Sequence, residues 1–174
     1  MPSPVVRHPI RPSRLACVLA PLVAVAGCTQ MLSMEGTSKA ISEGLSSQLS
    51  MSIASVTCPE SREIKAGDVF ECVATPAVGG RLTVQVTQKD NAGNVAWEVT
   101  KTEGLLDLAK VEASVKQGLA QQANLEASVT CGERWRATKA GDVFECRASG
   151  SEGQAVTVAV TVTDNEGNVS WETK

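Results

Sequence analysis

The chain has 174 residues, with 16 Lys+Arg against 19 Asp+Glu, one histidine and six cysteines, and a formal net charge of −3. An acidic chain with no basic stripe excludes the clustered phosphate contacts on which nucleic-acid binding depends. Histidine, the side chain best suited to proton transfer near neutral pH and the commonest metal ligand, occurs only as His8.

The first stretch is a basic start with Arg7, Arg11 and Arg14, followed by an apolar run from Leu15 to Ala26 that ends in Gly27-Cys28. This order predicts a secretory signal over residues 1–27. The run is shorter than the roughly 20 apolar residues a membrane-spanning helix needs, and Pro21 interrupts it. Val25-Ala26-Gly27-Cys28 resembles the lipobox of bacterial lipoproteins, in which the cysteine is lipidated and becomes the mature N-terminus. The resemblance implies membrane attachment through Cys28 by a diacylglyceryl thioether and an amide-linked acyl chain. Two such chains are what stable anchoring requires, at about 0.8 kcal/mol per buried CH2. The protein is then expected on the periplasmic side of the outer membrane, the outer face of the inner membrane, or the cell surface. Loss of residues 1–27 removes three Arg and His8, leaving 13 Lys+Arg against 19 Asp+Glu.

Residues 28–38, polar and without a strong period, read as a tether. From Lys39 the apolar positions Ile41, Leu45 and Leu49 recur every four residues, one stripe of an amphipathic helix. Gly44 weakens that helix slightly. Ala54 to Cys58 predicts a short extended piece, and Lys65 to Asp68 a turn in which Gly67 is free to take positive φ. Val69 to Thr75 alternates as a strand, with Phe70, Cys72 and Ala74 on one face. Arg81 to Gln88 alternates again, with Leu82, Val84 and Val86 together. Asp90 to Asn94 predicts a hairpin connection, after which Val95, Trp97 and Val99 form the last strand.

The same order then returns. Lys65-Ala66-Gly67-Asp68-Val69-Phe70-Glu71-Cys72 recurs letter for letter as Lys139 to Cys146, 74 positions on. Leu108, Val111, Val115 and Leu119 form a second helical stripe, and Ala127 to Cys131 repeats Ala54 to Cys58. The distances from Cys72 to Trp97 and from Cys146 to Trp171 are both 25 positions. The chain therefore reads as two copies of one module, over 39–101 and 104–174. Once Cys17 leaves with the signal and Cys28 takes the lipid, four cysteines remain, which allow three pairings. Each module owns one pair, so the repeat selects Cys58 with Cys72 and Cys131 with Cys146. Export to an oxidising compartment favours disulfides, small modules lean on such staples, and the spacing lacks the Cys-x-x-Cys of structural zinc sites.

Several motifs carry two readings. The repeated Lys-to-Cys block presents Lys, Asp and Glu in a small space, as a binding motif would, but turn chemistry followed by a strand accounts for it better. Asp90 to Asn94 and Asp164 to Asn168 have oxygen side chains around a glycine, yet lack the twelve-residue frame and closing glutamate of a calcium loop. Trp97 and Trp171 fit a core role over a stacking one. Trp135 has no counterpart in the first copy and stands between Arg134 and Arg136. These three residues are the candidates for contact with a protein partner. There is no nucleophile elbow, phosphate loop or metal-ligand cluster to support catalysis.

With these residues in view, both modules resemble the domain of unknown function 4333 family, small domains of exported bacterial proteins and lipoproteins. The resemblance rests on Val56-Thr57-Cys58, Lys65 to Cys72, Leu82 to Val86 and Asn91 to Trp97, the acid falling one place earlier at Asp90. In the second copy it rests on Val129-Thr130-Cys131, Lys139 to Cys146, Val156 to Val162 and Asp164 to Trp171. Gly132 stands where Pro59 follows the first-copy cysteine. The resemblance implies architecture and export and brings no functional residues with it.

The expected fold is α+β, two tandem modules, each an N-terminal helix packed on an antiparallel sheet of three to four strands with one disulfide. The expected function is that of a non-catalytic binding or envelope-associated lipoprotein with a protein partner, no cofactor and no metal. The alternative is a proteinaceous inhibitor of an extracellular enzyme, by fold-level analogy with β-lactamase inhibitory protein.

Overall fold

Ser33 and Asp107, each just ahead of an apolar stripe, decide where the two helices start. The computed structural model describes residues 29–150 and 153–174; Cys28 and the signal expected over 1–27 lie outside them. Helix α1 (Met34–Leu49) is capped by the Ser33 hydroxyl, which accepts from the Gly36 N–H at 3.1 Å. Four strands follow: β1 (Ile53–Thr57), β2 (Val69–Pro76), β3 (Arg81–Gln88) and β4 (Val95–Glu103). The second copy opens with β5 (Leu105–Asp107) and α2 (Leu108–Ala123), whose cap is the Asp107 carboxylate, accepting from the Ala109 N–H at 3.2 Å. It continues with β6 (Ala127–Thr130), β7 (Trp135–Ala137), β8 (Val143–Gly150), β9 (Ala155–Val162) and β10 (Val169–Thr173).

The fold is two tandem α+β modules, each with its helix on a four-stranded antiparallel sheet and one disulfide. The sheets run β1-β2-β3-β4 and β10-β9-β8-β6, with β5 and β7 forming a separate pair. Cys58 is bonded to Cys72 and Cys131 to Cys146, each closing one module on itself. In the second sheet Phe144 lies opposite Val160, and Val160 opposite Trp171, so these side chains form a row on the helix side. They pack with Val111, Val115 and Leu119 of α2. In the first sheet Phe70, Cys72, Ala74, Leu82, Val84 and Val86 are buried, as the period-two alternation requires.

Helix α1 starts at Met34, not Lys39, so the stretch expected as a tether over 28–38 is largely folded. Leu32 is buried, and Thr37 continues the four-residue stripe of Ile41 and Leu45 one turn earlier. Thr37 is polar and therefore broke the apolar pattern, but its hydroxyl donates to the Ser33 carbonyl at 2.9 Å, which lets it be buried. The segment before the helix is held as well. Leu32 N–H donates to the Arg62 carbonyl and Ile64 N–H to the Gln30 carbonyl, both at 2.8 Å, around a bridge between Met31 and Glu63. In the second copy the same segment is the β5–β7 pair, with Leu105 opposite Ala137 and Leu106 opposite Arg136.

Each helix carries one glycine that its sheet demands. A Cβ on Gly44 would stand 2.4 Å from the Trp97 ring, and one on Gly118 would stand 2.2 Å from the Trp171 ring. The tryptophans of the last strands thus lie against the helix backbone, filling the space that a side chain would take. The chain divides into two compact units: residues up to Ala74 with Thr83–Thr100, and Thr75–Leu82 with Lys101–Lys174. In the second of these, Gly80 (φ +81) packs so closely that a Cβ would meet the Gly104 carbonyl and Leu105 Cβ at 2.8 Å.

Candidate functional site

The repeated block folds as turn and strand. Asp68 N–H donates to the Lys65 carbonyl at 3.1 Å, as Asp142 N–H does to Lys139, with Gly67 and Gly141 at φ +82 and +88 in the third turn position. Phe70 and Phe144 point inward, while Glu71 and Glu145 face outward. The hairpin loops clamp these turns: Asn91 Oδ1 accepts from the Ala66 N–H at 2.9 Å and Asn165 Oδ1 from the Ala140 N–H at 3.1 Å. Those loops are themselves tied by Asp90 and Asp164. Asp90 Oδ1 accepts from the Ala92 and Asn94 N–H groups, and its Oδ2 accepts from the Asn94 amide at 2.6 Å. Asp164 does the same with Glu166 and Asn168. The Asn94 and Asn168 amides, followed by the loop N–H groups, hold both carboxyls below the ordinary Asp range. Of the oxygens that suggested a calcium loop, those of Asp90 and Asp164 are spent on their own hairpin and the Oδ1 atoms of Asn91 and Asn165 on the neighbouring turn.

One buried polar residue links turn and hairpin in the first copy. Gln88 Nε2 donates to the Glu63 carbonyl at 2.9 Å and to Asp68 Oδ2 at 3.2 Å, while its Oε1 accepts from the Lys65 N–H at 3.0 Å. Its counterpart is Val162, and there the Lys139 N–H turns to Asp142 Oδ2 at 2.9 Å. The copies therefore reach one turn geometry by two routes. The period-two alternation ends at Gln88 without marking it as buried; its phase, continuing Leu82, Val84 and Val86, is the available signal.

The three residues proposed for partner contact do not form one group. Trp135 sits in β7, half-buried, beneath Arg134, whose guanidinium lies 5.2 Å from the ring centroid. Arg134 Nε also reaches Asp107 Oδ1 at 3.5 Å, and its carbonyl accepts from the Leu108 N–H at 2.7 Å. Arg134 and Trp135 thus brace the start of α2. Arg136 stacks instead on Phe144, at 4.9 Å, and has an equivalent: Arg62 stacks on Phe70 at 5.4 Å. Arg136 belongs to the duplicated architecture, and the difference between copies lies at Arg134 and Trp135, which replace Glu60 and Ser61. The stacked pair of Arg62 and Phe70 was legible as a repeat of Arg136 and Phe144 at the common offset of 74.

Among the described residues no helix is long and apolar enough to cross a membrane, and no three His, Cys, Asp or Glu side chains group as a metal site. Cys28, the expected lipidation site, lies outside them. Neither the curated proteins nor the solved structures contain a significant match to this chain. A sequence profile described as a domain of unknown function, DUF4333, matches residues 15–93 and again residues 94–167. With most of its length covered by two successive matches, a shared turn and staple in each, the chain belongs to the DUF4333 family, of which it carries a tandem pair.

Proposed function

We propose that the protein is an exported lipoprotein, anchored through Cys28, whose two modules serve as a non-catalytic, envelope-associated binding unit. The observation that carries this reading is the use of cysteine. Cys58, Cys72, Cys131 and Cys146 are consumed in two disulfides, which suits an oxidising compartment, and Cys28 stands outside both pairs at the end of a signal-like run. The Asp68 and Asp142 carboxylates of the repeated motif are engaged in its turns, which favours a scaffold over a reacting centre. Arg134 and Trp135 are the place to look for a partner, because they distinguish the second copy from the first.

Replacing Cys28 with Ser tests the anchor. The variant is expected to leave the membrane fraction and to lose labelling by a palmitate analogue; retention with undiminished labelling would overturn the reading. Affinity capture from envelope extracts, with Trp135→Ala as control, tests the binding role: a partner that binds the native protein and not the variant is the expected result. The inhibitor alternative has only the tandem helix-and-sheet architecture behind it, and stoichiometric titration against secreted hydrolases decides it.

A further inference from the structure

The two copies share an edge, formed by the segment before the helix and the strand-like stretch after the first cysteine, and they cover it differently. In the second unit Leu105 is 3% exposed, with Gly80 of the β2–β3 hairpin tip packed on it. In the first unit the equivalent residue is Met31, 52% exposed. Its backbone is held through the bridge to Glu63 and the flanking bonds from Ile64 to Gln30 and from Leu32 to Arg62. Leu32, the next residue, is buried. Folded backbone therefore begins two residues after Cys28, and two residues reach about 7 Å even when fully extended. Stable lipid attachment at Cys28 leaves no leash between bilayer and module.

We infer that the open Met31 edge of the first module is seated on the lipid surface, the bilayer covering in this copy what the hairpin tip covers in the other. This rests on the proposed lipidation of Cys28. Met31 supplies a flexible apolar side chain that enters the headgroup boundary at no cost in buried charge. The segments that meet the edge carry Arg62, Lys65 and Lys89 against Glu35, Glu63 and Asp90, so an anionic headgroup layer encounters no net like charge there. The module is held against the membrane as a seated body and not as a tethered one.

Methionine oxidation reads this directly, because the thioether is attacked where it meets water. The full lipidated protein is placed on vesicles of phosphatidylethanolamine and phosphatidylglycerol, exposed to dilute peroxide, and mapped by peptide mass spectrometry. Met31 is expected to oxidise several-fold more slowly than in the water-soluble Cys28→Ser protein. A Gly-Ser insert of about ten residues between Cys28 and Thr29, spanning roughly 17 Å, is expected to restore the fast rate while the protein stays on the vesicles. Met51, buried in the first module, reports in every sample that the fold is intact. Equal Met31 rates in the vesicle-bound and soluble proteins would overturn the inference while leaving the anchor standing. Absence of lipid mass on Cys28, with no flotation on vesicles, would remove the anchor and the inference together.

Discussion

Gly44 and Gly118 illustrate how one residue can mean opposite things in sequence and in structure. Read along the helix, each is a weak point, and alanine there should gain about 1 kcal/mol of helix propensity. Read across the packing, each is the hollow into which Trp97 or Trp171 fits, with the ring 2.4 or 2.2 Å from where a Cβ would stand. Overpacking of this kind costs about 1–3 kcal/mol, so it wins. Gly44→Ala and Gly118→Ala are each expected to lower the denaturant midpoint of the mature protein; a rise in both would show that the tryptophans do not lie on the helices. At the same scale, Asp90 and Asp164 owe their lowered pKa first to the Asn94 and Asn168 amides. A carboxylate depressed on folding contributes stability above its unfolded pKa, and that contribution is lost as pH falls through the folded value. NMR titration should place both below the ordinary Asp value of about 3.9. In Asn94→Ala and Asn168→Ala the midpoints should move up toward it, and unchanged midpoints would reject this cause.

At the scale of elements, the alternating strands and the helical stripes were legible because burial follows periods of two and about four. The repeat made them legible twice. What escaped was held by polar chemistry and short pairings: Thr37 lengthens α1 while breaking its apolar pattern, and β5 with β7 is three residues long on each side. A three-residue strand has no period to read. Gln88 is the sharpest case, a buried amide ending an otherwise apolar face. Removing its side chain by Gln88→Ala strips partners from the Lys65 N–H and the Glu63 carbonyl, a loss of about 1–3 kcal/mol. Gln88→Val reproduces the second copy, where Asp142 serves Lys139, and is expected to cost less than the alanine change in chemical denaturation; the reverse order would mean that the two turns are not equivalent. The disulfides act on the same elements. Opening Cys58–Cys72 by paired Cys58→Ser and Cys72→Ala substitution frees a closed loop of about 15 residues and is expected to cost the first module about 3 kcal/mol in the chain-entropy model, measurable as an earlier loss of its amide-exchange protection.

For the whole molecule, duplication explains most of what first looks like function. The block shared by Lys65–Cys72 and Lys139–Cys146 is a turn, an inward Phe and a staple, and Arg62 and Arg136 stack on those Phe rings in both copies. Three departures between the copies bear on surface and site: Gln88 against Val162, Ser61 against Trp135, and Met31 against Leu105. The first is resolved by internal hydrogen bonds, the second marks the candidate partner contact, and the third leaves open the edge nearest Cys28. Fold was readable because two copies of a pattern constrain each other, whereas activity was not, because a residue such as Trp135, present in one copy alone, has no second instance to read it against.

The chemical state of five cysteines tests a lipid-anchored, disulfide-stapled protein most directly. Peptide mass mapping of the membrane-extracted protein without reduction should find Cys28 as a lipid-modified N-terminal residue, together with linked peptides joining Cys58 to Cys72 and Cys131 to Cys146. An unmodified Cys28 still joined to Gly27, or free thiols at the other four positions, would contradict it.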